Sequence, residues 1–276
     1  MVGNFASSPN THITTNHTHR PMKLRPLILA VLAAAPLASA STGPLKEKAL
    51  ALAASNKDSV VQLSATVEIE MTAGDLPTKK EERKLETSGC IISKDGLIVV
   101  PLSTLDLAAA ADGRMVNTQK GPLKISAKST TKEVKIIMPD GTETPAKVAF
   151  KDADLDLAFI RPEKADGVTF TPVDIANSAP FAMQEDAIIL GRLGKDLNRE
   201  PVVMTSEIIS IITKPRTFAR VGAPCLGMPI FNSDGKFVGF GINRFSAKGE
   251  DSDQGPTSAN VVLPAADLIE SAAQAK

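Results

Sequence analysis

The sequence predicts an all-β protein, a barrel or sandwich with short helices only near its two ends. Three observations carry this expectation. Short apolar or alternating runs recur at close spacing from Val60 to Leu263, and the gaps between them hold Asp-Gly and similar turn signals. No strand is followed by a long helical pattern, which argues against a βαβ fold. No internal repeat of fixed period is present.

At the N-terminal end, "PLKEKALALAASNK" (44–57) collects good helix formers, with Leu45, Leu50 and Leu52 among alanines, and predicts a helix. "VVQLSATVEIEM" alternates Val61, Leu63, Ala65, Val67, Ile69 and Met71 with polar residues over part of its length, as a half-buried strand does. "AGDLPTKKEER" reads as a charged turn or hairpin tip, "KLETSGCIIS" as a strand, "KDG" as a turn and "LIVVP" as a further strand. "STLDLAAAAD" predicts a short helix with Ser103 at its N-cap and Asp106 three residues later as an acidic capping-box partner. Residues 113–132 read as a basic, irregular insertion, with Arg114 to Lys135 as a solvated basic stretch. "EVKIIMPDGTETPAKVAFKDADLDLAFIRPE" supplies three strands around "PDG" and "KDAD" turns, in which Asp152 and Asp154 are turn residues. "EDAIILGRLG", "EPVVMTSEIISIIT", "PIFNSDGKFVGFGINRF" and "SANVVL" continue the strand-turn pattern, with Gly191 and Gly194 read as turns, and "PAADLIESAAQ" predicts a closing helix.

Composition removes several classes of function. Hydrophobic residues make up 43% of the 276-residue chain and charged residues 22%, with zero formal charge, as in ordinary globular proteins. Nothing recruits nucleic acid electrostatically, and no Trp or Tyr is present to stack on bases. Residues 1–21 are polar and lack an apolar period, and read as an unstructured extension that is untranslated or removed. In "MKLRPLILAVLAAAPLASA" (22–40), Lys23 and Arg25 precede an apolar core, Leu27 to Ala34, and an Ala38-Ser39-Ala40 cleavage signal. That order is a secretory signal peptide, with translation expected to start at Met22. Its core is too short to span a bilayer, and no later segment is long and apolar enough. The expected mature chain, from Ser41, is exported to the periplasm or beyond the cell, and its loss of Arg20, Lys23 and Arg25 leaves a formal charge of −3. All three histidines, His12, His17 and His19, precede the cleavage signal. The mature chain therefore has no imidazole for a Ser-His or Cys-His couple and none for a metal. No cofactor is expected, and the sequence specifies no oligomer.

The order of four segments resembles the trypsin-like serine protease domain, in particular the bacterial Deg (high-temperature-requirement) type. "SGCIISKDGLIVVPLSTLD" is similar to the strand, Asp-Gly turn and strand that lead to that family's catalytic histidine. "VKIIMPDGTETPAKVAFKDADLDLAFIR" resembles the segment that ends in its catalytic Asp-Leu-Ala. "GAPCLGMPIFNSDGKFVGFGI" is similar to its Gly-Asn-Ser-Gly-Gly-Pro loop and the following hairpin, and "SANVVLPAADLIESAA" to its last strand and helix. The resemblance runs from about Lys57 to the C-terminus and implies a double six-stranded β-barrel. It implies one peptidase domain over 41–276, with barrels at about 57–165 and 166–263 and a helix at 264–275.

Carried over residue by residue, the resemblance places the family histidine on Ser103 and the family aspartate on Asp156. Pro229 matches the proline after Ser-Gly-Gly, so an ungapped count puts the nucleophile on Leu226 and the glycines on Gly227 and Met228. Pro224 falls where a glycine N–H serves the oxyanion, and proline has no N–H. The base, the nucleophile and half of the oxyanion hole are then missing together. A one-residue gap would instead make Cys225 the nucleophile, still without a histidine. A thiol at its ordinary pKa of about 8.5 is only a few per cent thiolate at neutral pH. The plainer readings are a helix cap for Ser103, a strand-entry turn for Asp156 and a small buried hydrophobe for Cys225. Cys90 and Cys225 are the only cysteines, and in an oxidising compartment the resemblance permits a bridge between them that would pin the loop.

The function implied is that of a pseudoprotease that binds an extended peptide or protein partner by β-augmentation along Gly241, Ile242, Asn243 and Arg244. Phe240 and Phe245 would be pocket or core residues. The alternatives are a serine-type endopeptidase, a Cys225-dependent cysteine peptidase, or a structural envelope protein. N-terminal sequencing of protein exported by its own host should find a start at or near Ser41. A start upstream of His12 would restore three histidines and reopen the metal and catalytic readings.

Overall fold

The computed structural model describes residues 43–119, 121–245 and 258–275; the expected leader and its cleavage site lie outside the described residues. Helix α1 (Pro44–Asn56) is followed by β1 (Val60–Ala73), β2 (Lys79–Ile91), β3 (Ile98–Pro101), β4 (Met115–Thr118), β5 (Gly121–Ile137), β6 (Glu143–Asp152) and β7 (Leu157–Pro162). These strands run in the order β1-β2-β3-β7-β6-β5, and a β1–β5 pairing closes them into a six-stranded antiparallel barrel, with β4 added outside β5. Alternation along β1 turns Val61, Leu63 and Ala65 toward Ile91, Ile98, Val100, Ile136, Ala158 and Ile160.

The second barrel is built from β8 (Asp186–Arg192), β9 (Pro201–Ile212), β10 (Phe218–Val221), β11 (Pro229–Asn232), β12 (Phe237–Phe245) and β13 (Ser258–Pro264), closed in the order β10-β13-β12-β11-β8-β9. Helix α2 (Ala265–Ala272) follows. Its strands are apolar on both faces. Ala187, Ile189, Ile208, Ala219, Ile230, Val238 and Val262 form one cluster with Cys225. The alternate residues, among them Ile188, Leu190, Phe240, Ile242, Val261 and Leu263, join Val99, Leu157 and Phe159 of the first barrel and Leu268 of α2 in another. Two-sided hydrophobicity is what a sheet needs when helices and a second barrel cover its outer face.

Three expectations are corrected. Residues 113–132 are not an irregular insertion but β4 and most of β5, which pairs with β1 from Gln62↔Ile137 to Ala73↔Ile125. The reason is tertiary: a 14-residue β1 unpaired on one side would present a bare edge of N–H and C=O groups. The signal was present but weak, since Leu123, Ile125, Ala127 and Ser129 are half-buried and alternate with exposed Lys124, Ser126 and Lys128. In the same way Lys79 to Arg83 lie in β2, paired with β1, and not in a hairpin tip. Gly191 lies inside β8 rather than in a turn, where a Cβ would meet the Met228 side chain at 2.9 Å.

The two barrels, both in one compact unit (Thr42–Lys276), are clamped by Arg192. This residue is 8% exposed, and its guanidinium donates through Nε to the Val60 carbonyl at 2.8 Å, through Nη2 to that of Lys57 at 2.5 Å, and through Nη1 to that of Arg199 at 2.8 Å. Gln62 reaches back, donating from Nε2 to the Arg192 carbonyl at 3.3 Å and to Ser88 Oγ at 3.0 Å. Arg192→Leu strips three backbone carbonyls, that of Val60 buried and those of Lys57 and Arg199 partly buried, of a charged donor and should lower stability by about 3 kcal/mol. Urea unfolding checks this. A loss below about 1 kcal/mol would mean that water replaces the clamp.

Candidate functional site

Strand β3 ends at Pro101, and a single 3-10 turn, Leu102–Thr104, follows it. The turn is tied down by Leu102 N–H, which donates to the Asp156 carbonyl at 2.9 Å, and by Thr104 Oγ1, which donates to the Pro101 carbonyl at 2.7 Å. This aims both polar groups of Ser103 at the Asp156 carboxylate. The Ser103 N–H donates to Oδ1 at 2.6 Å and its hydroxyl to Oδ2 at 3.0 Å. Asp156 is 9% exposed and sits at φ 56°, a left-handed conformation that Asp tolerates better than most residues. From the second barrel, Asn243 N–H donates to Oδ2 at 2.7 Å. Burial raises the Asp156 pKa above its ordinary value; the Asn243 and Ser103 hydrogen bonds and the nearby Arg244 guanidinium oppose that shift.

Ser103 is therefore not the cap of a helix. The cap position of the 3-10 turn is Pro101, no α-helix forms over 102–113, and Asp106 Oδ1 accepts the Ala109 N–H at 3.2 Å within a run of turns. The Asp156 carboxylate competes for both polar groups of the serine.

The loop 222–229 brings the second barrel to the same place. Gly227 has φ 73°, and a Cβ there would lie 2.8 Å from the Ser88 carbonyl oxygen and 3.4 Å from Pro101 Cδ, two residues before Ser103. Leu226 forms a parallel bridge with Gly241, and Gly227 N–H donates to the Gly241 carbonyl at 2.8 Å. Gly241 N–H donates in turn to the Met228 carbonyl at 3.0 Å. A Cβ on Gly241 would stand 1.7 Å from the Cys225 carbonyl oxygen, so only glycine fits. Pro224 is exposed and Leu226 half-buried, whereas Cys225 is 1% exposed within the cluster of the second barrel. Burial pushes its thiol up to about 11.

The Cys90–Cys225 bridge is not formed. Both thiols are free and buried, and they belong to different clusters: Cys90 to the one that joins the two barrels, Cys225 to the one made by Ala187, Ile189, Ile230 and Val262 of the second barrel. Burial raises the Cys90 thiol as well.

The edge at Gly241 to Arg244 is partly occupied by the chain itself. Both backbone groups of Gly241 are used by the loop, and the Asn243 N–H by Asp156. Ile242 is fully buried in the junction, and Ile242 and Arg244 stand opposite Val261 and Ala259 of β13. Strand alternation turns Asn243 and Phe245 to the same side as Gly241, so the remaining edge begins at the Asn243 carbonyl. Arg244 donates to the Asp154 carbonyl at 3.0 Å and lies 5.2 Å from the Phe218 ring centroid. Neither the Asn243–Asp156 bond nor this seat for Arg244 has a signal in the sequence, because both join segments some 90 residues apart. Phe240 is a core residue; the Phe245 side chain lies outside the described residues. Among the described residues no cluster of three or more His, Cys, Asp or Glu fits a metal ion, and no helix is long and apolar enough to cross a membrane.

Two closed six-stranded barrels that bring Ser103 and Asp156 of the first against Asn243 of the second define the trypsin-like double-barrel architecture. The model of the trypsin-like peptidase domain family matches residues 87–240, more than half of the chain, and the chain belongs to that family. Among solved structures it is similar to that of Deg5, with 18% identity over 82% of this chain and 92% of the other and a TM-score of 0.49. It is also similar to the apo MamO protease domain from Magnetospirillum magneticum, with 18% identity over 75% of this chain and 94% of the other and a TM-score of 0.44. None of the curated proteins matches it.

A buried thiol held near 11 should be inert. Native protein treated with iodoacetamide at neutral pH should carry no label on Cys225, and urea-unfolded protein should carry one on each cysteine. Rapid labelling of Cys225 in the native state would show that the loop opens.

Proposed function

We propose that this chain is an exported pseudoprotease that holds an extended peptide or protein segment without cutting it. The observation that carries the reading is the Ser103 hydroxyl bonded to the Asp156 carboxylate at 3.0 Å, in a chain whose three histidines all precede Ser41. A hydroxyl paired with a carboxylate does not take a proton from a nucleophile at neutral pH as an imidazole does. Three further features support the reading. Leu226 has no nucleophilic atom, the Cys225 thiol is buried and protonated, and Pro224 has no N–H for an oxyanion. What such a cleft retains is backbone pairing, and the β12 edge from Asn243 toward Phe245 is the segment we assign to it. Export rests on the signal-peptide pattern of residues 22–40.

The test uses residues 41–276 with a mixed peptide library and with casein, under reducing and oxidising conditions. Peptides should be retained, none should be cleaved, no covalent active-site probe should attach, and Cys225→Ala should change nothing. Removal of triad members usually leaves about 10³–10⁴-fold acceleration from the oxyanion hole and binding, and here even that should shrink. Turnover abolished by Cys225→Ala would make this a cysteine peptidase with an unfamiliar base. Turnover that survives the substitution would place the active site elsewhere. Neither turnover nor retention would leave a structural envelope protein.

A further inference from the structure

The geometry points to Asp156 as an acid-operated latch between the two barrels: protonation of its carboxyl loosens the bond to Asn243, and with it the β12 edge, while the fold stays intact. The latch does not depend on whether the cleft takes a peptide.

Three donors converge on the carboxylate. Oδ1 accepts one hydrogen bond, from Ser103 N–H, and Oδ2 accepts two, from the Ser103 hydroxyl and the Asn243 N–H. A proton on Oδ1 would displace the Ser103 N–H. A proton on Oδ2 faces two donors with different freedom. The Ser103 hydroxyl can rotate and accept it, because a hydroxyl both donates and accepts. The Asn243 N–H is fixed by the strand and cannot reverse; it keeps only a neutral hydroxyl oxygen as acceptor, a weaker partner than a carboxylate. A proton on Oδ1 costs a hydrogen bond and one on Oδ2 keeps its bond to Ser103, so the acid form carries its proton on Oδ2, and the hydrogen bond that weakens is the one reaching the second barrel.

The surrounding charges are few. From β12, Arg244 favours the ionised form. The turn that carries Asp156 also holds Asp154, whose carbonyl accepts from Arg244, and Asp152, whose carboxylate accepts from Leu155 N–H and the Ser271 hydroxyl. The 102–104 turn brings no charged group, and the 222–229 loop brings only the Cys225 thiol. Burial nevertheless dominates and raises the pKa in the folded protein above its unfolded value. The sign follows from linkage. The folded state binds this proton more readily than the unfolded chain does. As pH falls through the folded value toward the unfolded one, Asp156 therefore adds to stability relative to neutral pH rather than removing it. Protonation at this site is thus separable from acid unfolding.

The test follows the amide signals of Ser103 and Asn243 in the full, isotope-labelled chain as pH is lowered, with circular dichroism in parallel. Both amides should titrate together, with a midpoint above the ordinary Asp value of about 3.9, at constant dichroism. Protection of the Asn243 amide from exchange should fall about tenfold on the acid side. Ser103→Ala removes a donor to the ionised form and should move the midpoint up, whereas Ser103→Thr keeps the hydroxyl and should leave it in place. Asp156→Asn should show the low protection at every pH; the two Ser103 variants carry the test if that variant does not fold. A midpoint at or below the ordinary Asp value, a Ser103 shift without loss of Asn243 protection, a Ser103→Ala midpoint that does not rise, or a transition that coincides with unfolding would each overturn the latch.

Discussion

The carboxylate of Asp156 is where three stretches of chain have to meet. A group this well buried cannot stay ionised without donors, and its donors come from a 3-10 turn at the end of β3 and from the middle of β12. Each donor imposes a condition. The turn must hold Ser103 with both polar groups facing inward, Asp156 must take a left-handed backbone to present both oxygens, and β12 must run in a register that points Asn243 N–H at the first barrel. A shift of β12 by one residue would swap Asn243 for Ile242 or Arg244 and put a core side chain in the cleft. The relation of the two barrels at this point is thus set by polar satisfaction as much as by apolar packing.

Around that carboxylate the second constraint is steric. Gly241 lies so close to the Cys225 carbonyl, and Gly227 so close to the Ser88 carbonyl, that loop, strand and first barrel touch backbone to backbone. The close approach turns Cys225 into the core and leaves Leu226 bridged to Gly241. The same packing that makes the loop rigid keeps the thiol away from solvent, and a buried thiol with a raised pKa is a packing residue rather than a nucleophile. Arg192 and Gln62 also join the barrels by donating to backbone carbonyls of the opposite barrel.

Membership of a peptidase family therefore describes the scaffold, while chemistry is decided by the groups mounted on it. Here the scaffold pairs a buried carboxylate with a hydroxyl.

Much of the fold was legible in the sequence, because strand alternation, Asp-Gly turns and two terminal helical runs are local signals. The hairpin of β11 and β12 is one case: the Asn232 side chain accepts the Asp234 and Lys236 N–H groups, and Gly235 takes φ 75°, as an Asn-Ser-Asp-Gly turn requires. No local signal marks the hydrogen bond of Ser103 to Asp156; only the order of motifs assigns the two residues to related positions. Other features were not local and could not be read. Residues 121–133, rich in Lys, Ser and Thr, became strand because β1 needed a partner along its whole length. Ser103 left a predicted helix cap because a buried carboxylate 53 residues away competed for its hydroxyl. The two cysteines stayed apart because each fell into a different apolar cluster. The sequence by itself determined the alternating strands, the turns and the absence of histidine from the chain after Ser41. The tertiary structure decided which edge was filled, which polar group was matched and which side chain was buried, because those outcomes depend on distant segments competing for the same donors and the same space.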